Sequence, residues 1–163
     1  MNIREANIND IEALNRIYNE AIEDHCTADT RPQTMLDTRT WLEKHDHDNY
    51  PVWVCENERE VMGWISFSPY RNGRPAVNGT VEFSYYVGRA FQGMGAGSAM
   101  MRFGISKAVS LGFRRALAII LERNTRSVIF TEKHGFSRWG YLPGVADFDG
   151  EICGHCYYGL VLQ

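Results

Sequence analysis

The stretch from Thr80 to Leu111, TVEFSYYVGRAFQGMGAGSAMMRFGISKAVSL, constrains the fold more than any other part of the chain. Its first nine residues are apolar, aromatic and β-branched, the composition of a buried strand. Gly93, Gly95 and Gly97 follow at alternate positions. Beyond them Met100, Met101, Phe103, Ile105, Ala108, Val109 and Leu111 recur at helical spacing. Strand, glycine-rich turn and helix together aim free backbone N–H groups and the positive helix end at an anion, typically a phosphate. Glycine allows the close approach because no Cβ intervenes.

Two common phosphate-binding turns do not fit. A P-loop requires G-x-x-x-x-G-K-[ST]; Ser98 is present, but Gly97 precedes it in place of lysine. A dinucleotide turn requires G-x-G-x-x-G and an acidic residue about 20 positions on. Here the glycines alternate, and position 115 is Arg.

The rest of the chain predicts a sheet of mixed direction flanked by helices, of α/β or α+β class. A short strand over Asn2 to Ala6 leads to a helix over Ile11, Leu14, Ile17, Tyr18, Ala21 and Ile22, capped by Asn7 or Asn9. His25 to Pro32 reads as a loop, and Thr34 to His45 as a second helix with Trp41 as a core anchor. Pro51 to Glu56 and Val61 to Pro69 form a hairpin; Tyr70 to Gly79 is a loop. After the central strand and helix, Gly112 marks a left-handed helix end. Arg115 to Leu121 is a strand, Asn124 to His134 a helix stopped by Gly135, and Phe136 to Leu142 and Gly154 to Leu162 the last strands. With 163 residues and no linker or repeat, 1–163 reads as a single domain.

A net charge of −3 gives no overall attraction to nucleic acid, although Lys107 to Arg115 is locally basic and suits an anionic cofactor. No run of 18 apolar residues exists to span a membrane, and the start lacks a signal pattern, so the chain reads as cytoplasmic. Cys26 and Cys55 read as ordinary thiols. Cys153-Gly154-His155-Cys156 has a redox-motif spacing but runs into a strand pattern rather than opening a helix, and no partner cluster suggests a metal.

Glu82 is the exceptional residue of the central strand. Alternation puts Glu82, Ser84 and Tyr86 on one face and Val81, Phe83, Tyr85 and Val87 on the other. Read from the residues alone, Glu82 is either a salt-bridged or solvent-facing strand residue or a carboxylate whose partial burial raises its pKa toward a base's range. Arg71 and Arg74, in the loop before the strand, are candidates for holding an acidic group on a substrate, since guanidinium forks match carboxylates.

Gln92-Gly93-Met94-Gly95-Ala96-Gly97 matches Q/R-x-x-G-x-G/A and resembles the pyrophosphate turn of the GNAT superfamily of acyl-CoA-dependent N-acetyltransferases. Asn124-Thr125-Arg126-Ser127 and then Glu132-Lys133-His134-Gly135-Phe136 resemble that superfamily's next segment. Glu82, Trp41 and Gly144 resemble its phosphinothricin acetyltransferase-like branch. The resemblance implies a mostly antiparallel twisted sheet with a central parallel pair splayed near Val87 and Ala118. It implies acetyl-CoA held by Gln92, Gly93, Met94, Gly95, Ala96, Gly97 and Ser98, by Tyr85, Tyr86 and Val87 along the strand, and by Asn124 and Ser127. It also implies Glu82 managing the proton of a small amine acceptor, direct transfer without an acyl-enzyme, no metal, and a homodimer. Two departures stand out. Thr131 occupies the position where many members carry Tyr and the phosphinothricin enzymes His, which leaves no general acid assigned. Cys153-Gly154-His155 replaces the Trp-x-Asp segment. A non-catalytic acyl-CoA sensor and an acetyltransferase acting on a protein amine are the other readings.

Overall fold

The computed structural model describes residues 1–58 and 60–163. Among these residues seven strands form one sheet: β1 (Asn2–Glu5), β2 (Val52–Glu56), β3 (Val61–Pro69), β4 (Thr80–Val87), β5 (Arg115–Leu121), β6 (Ser137–Phe148) and β7 (Glu151–Val161), in the order β1-β2-β3-β4-β5-β7-β6. The helices are α1 (Ile11–Glu23), α2 (Met35–Lys44), α3 (Ala96–Ser110) and α4 (Thr125–Lys133). Among the described residues every ladder is antiparallel except β4–β5. No helix of the described residues is long and apolar enough to cross a membrane.

The two sheet faces carry separate cores. On one, Ile11, Leu14 and Ile17 of α1 and Leu42 of α2 pack on Val52, Val54 and Trp64. On the other, Met100, Met101 and Ala108 of α3 pack on Ile65, Phe67, Val81 and Phe83. Phe67 and Phe83 stack with ring centroids 4.5 Å apart. Val109 and Leu111, included in the apolar pattern of this helix, are exposed. The helix seats close because two positions lack a Cβ. A Cβ at Gly104 would lie 2.8 Å from Ile65 Cδ1, and one at Gly63 would lie 2.6 Å from the Tyr86 carbonyl and 2.8 Å from Met100 Cε. This close seat fixes where the N-terminus of α3 points.

The N-terminal cap differs in detail from the expectation. Asn7 caps a 3-10 turn over Ile8–Asp10 through a capping box with Asp10, and α1 continues from that turn. The larger difference lies at the C-terminus. β6 and β7 run to a two-residue turn at Asp149-Gly150, well past the expected ends at Leu142 and Gly154. Both turn residues have positive φ (54° and 98°), as a tight primed hairpin turn demands. The strand continues through Pro143 and Gly144 by a register shift between Leu142 and Ala146, with Gly144 at φ 60°.

Candidate active site

The geometry that matters begins where the one parallel ladder ends. Thr80↔Arg115, Val81↔Ala116 and Glu82↔Leu117 are its three register pairs. Beyond them β4 continues to Val87, still paired with β3 through Gly63↔Val87, while β5 continues to Leu121 paired with β7. From Phe83 onward the β5-facing edge of β4 therefore has no strand on it among the described residues. The expected splay lies here, opening just after Glu82.

A cleft of about 730 Å³ lies alongside this end of β4, between it and α4. Tyr85, Tyr86 and Val87 line it from β4, Gln92, Gly93, Gly95, Ala96, Gly97 and Ser98 from the turn and α3, and Asn124 and Ser127 from α4. These are the residues expected to hold a cofactor, save Met94, which is exposed and outside the lining. Gly93 (φ 81°) and Gly95 (φ 88°) adopt the left-handed conformation that gives the turn its shape. Gly95 is the N-cap of α3 and, among the described residues, no side chain caps this helix, so its first-turn N–H groups stay available. A Cβ on Gly93 would meet nothing within 4 Å, which leaves open space beside the turn.

The cleft has cations that the sequence reading passed over. Arg126 and Lys133 line it from α4, seven residues apart and thus on one helix face. Arg126 Nη1 donates to Gln92 Oε1 across the mouth. The basic stretch Lys107 to Arg115 is absent from the lining. On the opposite wall Asp24 and Glu20 are tied to Arg89: its guanidinium contacts Asp24 at 2.8 Å and its backbone N–H donates to Glu20 at 2.7 Å. Cys26 also lines the cleft, with its thiol pKa pushed up by burial. Asn124 caps α4, accepting from Ser127 N at 3.1 Å.

On the opposite sheet face a second cavity, about 240 Å³, lies under α1 and α2. Trp64, Ser66 and Ser68 of β3 and Ser84 and Tyr86 of β4 form its floor; Tyr18, Asp29, Trp41 and His45 are among its walls. Trp41 thus both packs on Trp64, with centroids 5.5 Å apart, and lines a cavity. Tyr86 belongs to both cavities and marks the boundary between them. Burial pushes the Tyr86 pKa up to about 12 and lowers that of His45, so both stay neutral near pH 7.

Glu82 lines neither cavity but sits beside this floor. Ser68 is its register partner and Ser84 the next residue on its face, and both line the cavity. It is half-buried, and among the described residues no cation or hydrogen-bond donor meets its carboxylate. Burial alone raises its pKa. Arg71 and Arg74 are exposed and line neither cavity. Thr131, by contrast, is fully buried and bonded to the Tyr85 hydroxyl at 2.7 Å. Cys153 packs with Leu121 and Phe148 while Cys156 joins the larger core, so this pair divides between two clusters.

Comparison with known proteins agrees with this geometry. The profile of the Acetyltransferase (GNAT) family matches residues 12–136. A Bacillus subtilis protein named "Putative phosphinothricin acetyltransferase YwnH" is 40% identical over 153 residues, 93% of each chain. A Salmonella typhimurium protein named L-methionine sulfoximine/L-methionine sulfone acetyltransferase is 33% identical over 147 residues, covering 89% of this chain and 85% of that one. Among solved structures, yncA from Salmonella typhimurium, determined with its cofactor acetyl-CoA, superposes with a TM-score of 0.92 at 29% identity over 100% of this chain and 94% of that one.

Proposed function

The chain belongs to the acetyltransferase (GNAT) family, and from that premise we propose that it transfers acetyl from acetyl-CoA to the primary amine of a small amino-acid-like acceptor within a ternary complex. The single observation carrying this reading is the end of the β4–β5 ladder at Glu82↔Leu117. It leaves an anion-ready turn at one end of an open strand edge and a half-buried, unpaired carboxylate at the other.

The residues present fit acetyl-CoA. The uncapped first turn of α3 and the space beside Gly93 suit a diphosphate, and Arg126 and Lys133 add charge. The unpaired edge of β4 offers backbone groups to an extended amide-containing arm, as to an added strand. Bound acetyl-CoA supplies a thioester-activated acetyl group. The chain's own part is to juxtapose and to move protons. An alkylammonium must lose a proton before its nitrogen attacks, and Glu82 is placed to accept it directly or through a water. Its raised pKa makes it a better base than an exposed carboxylate. The cavity beneath α1 and α2, next to Glu82, is the proposed acceptor site.

Relatives named for phosphinothricin and methionine sulfoximine support an amino-acid-like acceptor. Arg71 and Arg74 would contribute to its acidic group only by moving in from the surface. Thiol release should be measured with phosphinothricin, methionine sulfoximine and uncharged amines. Preference for the amino acids supports the reading. Equal turnover of simple amines removes the amino-acid class, and no turnover of any amine overturns the enzyme reading.

A further inference from the structure

Acetyl transfer from a thioester leaves a thiolate, and the cleft carries a hydroxyl pair suited to receive it. Tyr85 lies on β4 between Glu82 and the phosphate turn, and it lines the cleft. Its hydroxyl is 2.7 Å from Thr131 Oγ1 on α4. Phe130 packs on its ring with centroids 5.3 Å apart and holds the phenol against α4. We propose that Tyr85 is a catalytic residue of this chain, its phenol giving a proton to the departing sulfur while Thr131 positions it; the proposal rests on the acetyl-transfer reading above.

The hydroxyl count favours this arrangement. Two hydroxyls hold two protons, and the bond between them uses one. With Thr131 and the nearby Ser127 hydroxyl both donating, the Tyr85 oxygen accepts and its own proton is free to point into the cleft. Thr131 is wholly buried, so it can act on the cleft only through Tyr85. Burial raises the phenol's pKa and keeps it protonated before reaction, while hydrogen bonds from Thr131 and Ser127 act in the opposite sense and would steady a phenolate. Tyr86, the neighbouring phenol, turns instead toward Tyr18 and Trp64 on the opposite face.

The step balances. The amine nitrogen forms a bond to the acetyl carbon and the carbon–sulfur bond breaks, its electron pair going to sulfur. The Tyr85 proton passes to sulfur to give a free thiol. The proton lost by the amine goes to Glu82 and then to solvent, from which the phenolate is reprotonated.

The test compares wild type, Tyr85→Phe and Thr131→Val in turnover and, independently, in calorimetric binding of coenzyme A and desulfo-coenzyme A at about pH 9, where a thiol of reference pKa about 8.5 is largely ionised. Tyr85→Phe is expected to lower kcat about 100-fold with little change in KM, the scale of a proton donor. It should also erase a preference of about tenfold for coenzyme A over its desulfo analogue, the scale of a hydrogen bond to a charged sulfur, while leaving desulfo-coenzyme A affinity unchanged. Thr131→Val should lie between. A Tyr85→Phe variant with kcat within about twofold of wild type and the preference intact overturns this inference alone. Wild type that binds neither ligand overturns the acetyl-transfer reading and this inference with it.

Discussion

Glu82 and Leu117 are register partners on the last rung of the β4–β5 ladder, so the carboxylate stands where two parallel strands part. A strand residue one position earlier would lie inside a paired ladder, and one on the other face would enter the α3 core. Its half-buried state without a cation is costly for stability, and such local cost is characteristic of functional sites.

Replacing Glu82 with Gln should lower turnover by about 100-fold, the scale of a general base, with coenzyme A affinity unchanged. In wild type, activity should rise with pH through a pKa above the ordinary value of about 4.3, because only the ionised form accepts a proton. The variant should lose that limb and partly recover at high pH as the amine deprotonates itself. A pH–rate profile of both proteins checks this.

The same substitution should stabilise the fold near neutral pH. Burial raises the folded-state pKa of Glu82, so its contribution is most favourable below the unfolded pKa and is lost as pH rises through the folded one. Thermal melts should therefore show Glu82→Gln above wild type at pH 7, with the gap closing in acid.

Asp10 behaves in the opposite sense. Burial pushes its pKa up, but the two Arg4 hydrogen bonds at 2.8 Å, the Asn7 N–H at 2.8 Å and the Arg4 charge outweigh it and hold the carboxyl below its usual value. Its contribution is present above the unfolded pKa and lost as pH falls through the folded one. Asp10→Asn should cost roughly 1–3 kcal/mol at pH 7, the scale of charged hydrogen bonds. That difference should shrink below about pH 4, as denaturant melts at both pH values would reveal.

At the cleft mouth, Lys133→Ala should weaken coenzyme A binding several-fold at low salt, with the loss fading as screening increases. Titrations at two ionic strengths would separate this charge effect from a change of shape, which salt would not relieve.

Much of the fold was legible because its signals are local. Alternation named the faces of β4, the glycine spacing named the turn, and Asn124 with Gly135 bounded α4. The β6–β7 hairpin tip lies beyond the expected strand ends at Leu142 and Gly154, although Asp149-Gly150 is among the strongest hairpin signals. The second cavity was harder to see. Ser66, Ser68 and Ser84 alternate with the buried Ile65, Phe67 and Phe83, but only the β3–β4 register sets them side by side. Arg126 and Lys133 share a helix face that was readable, yet nothing local says that face borders β4. For the same reason Arg71 and Arg74, plausible by chemistry, proved to be surface residues.

Binding of acetyl-CoA in the proposed manner requires that the turn from β4 into α3 receive a diphosphate. Calorimetric titration of coenzyme A into wild type and Gly93→Ala decides it. The substituted Cβ meets no protein atom, and its positive φ costs stability by about 1–2 kcal/mol. Saturable one-site binding to wild type, weakened about tenfold or more in a variant that still melts cooperatively, is the predicted result. Wild type that gives no saturable heat, or a folded variant that binds equally well, would contradict it.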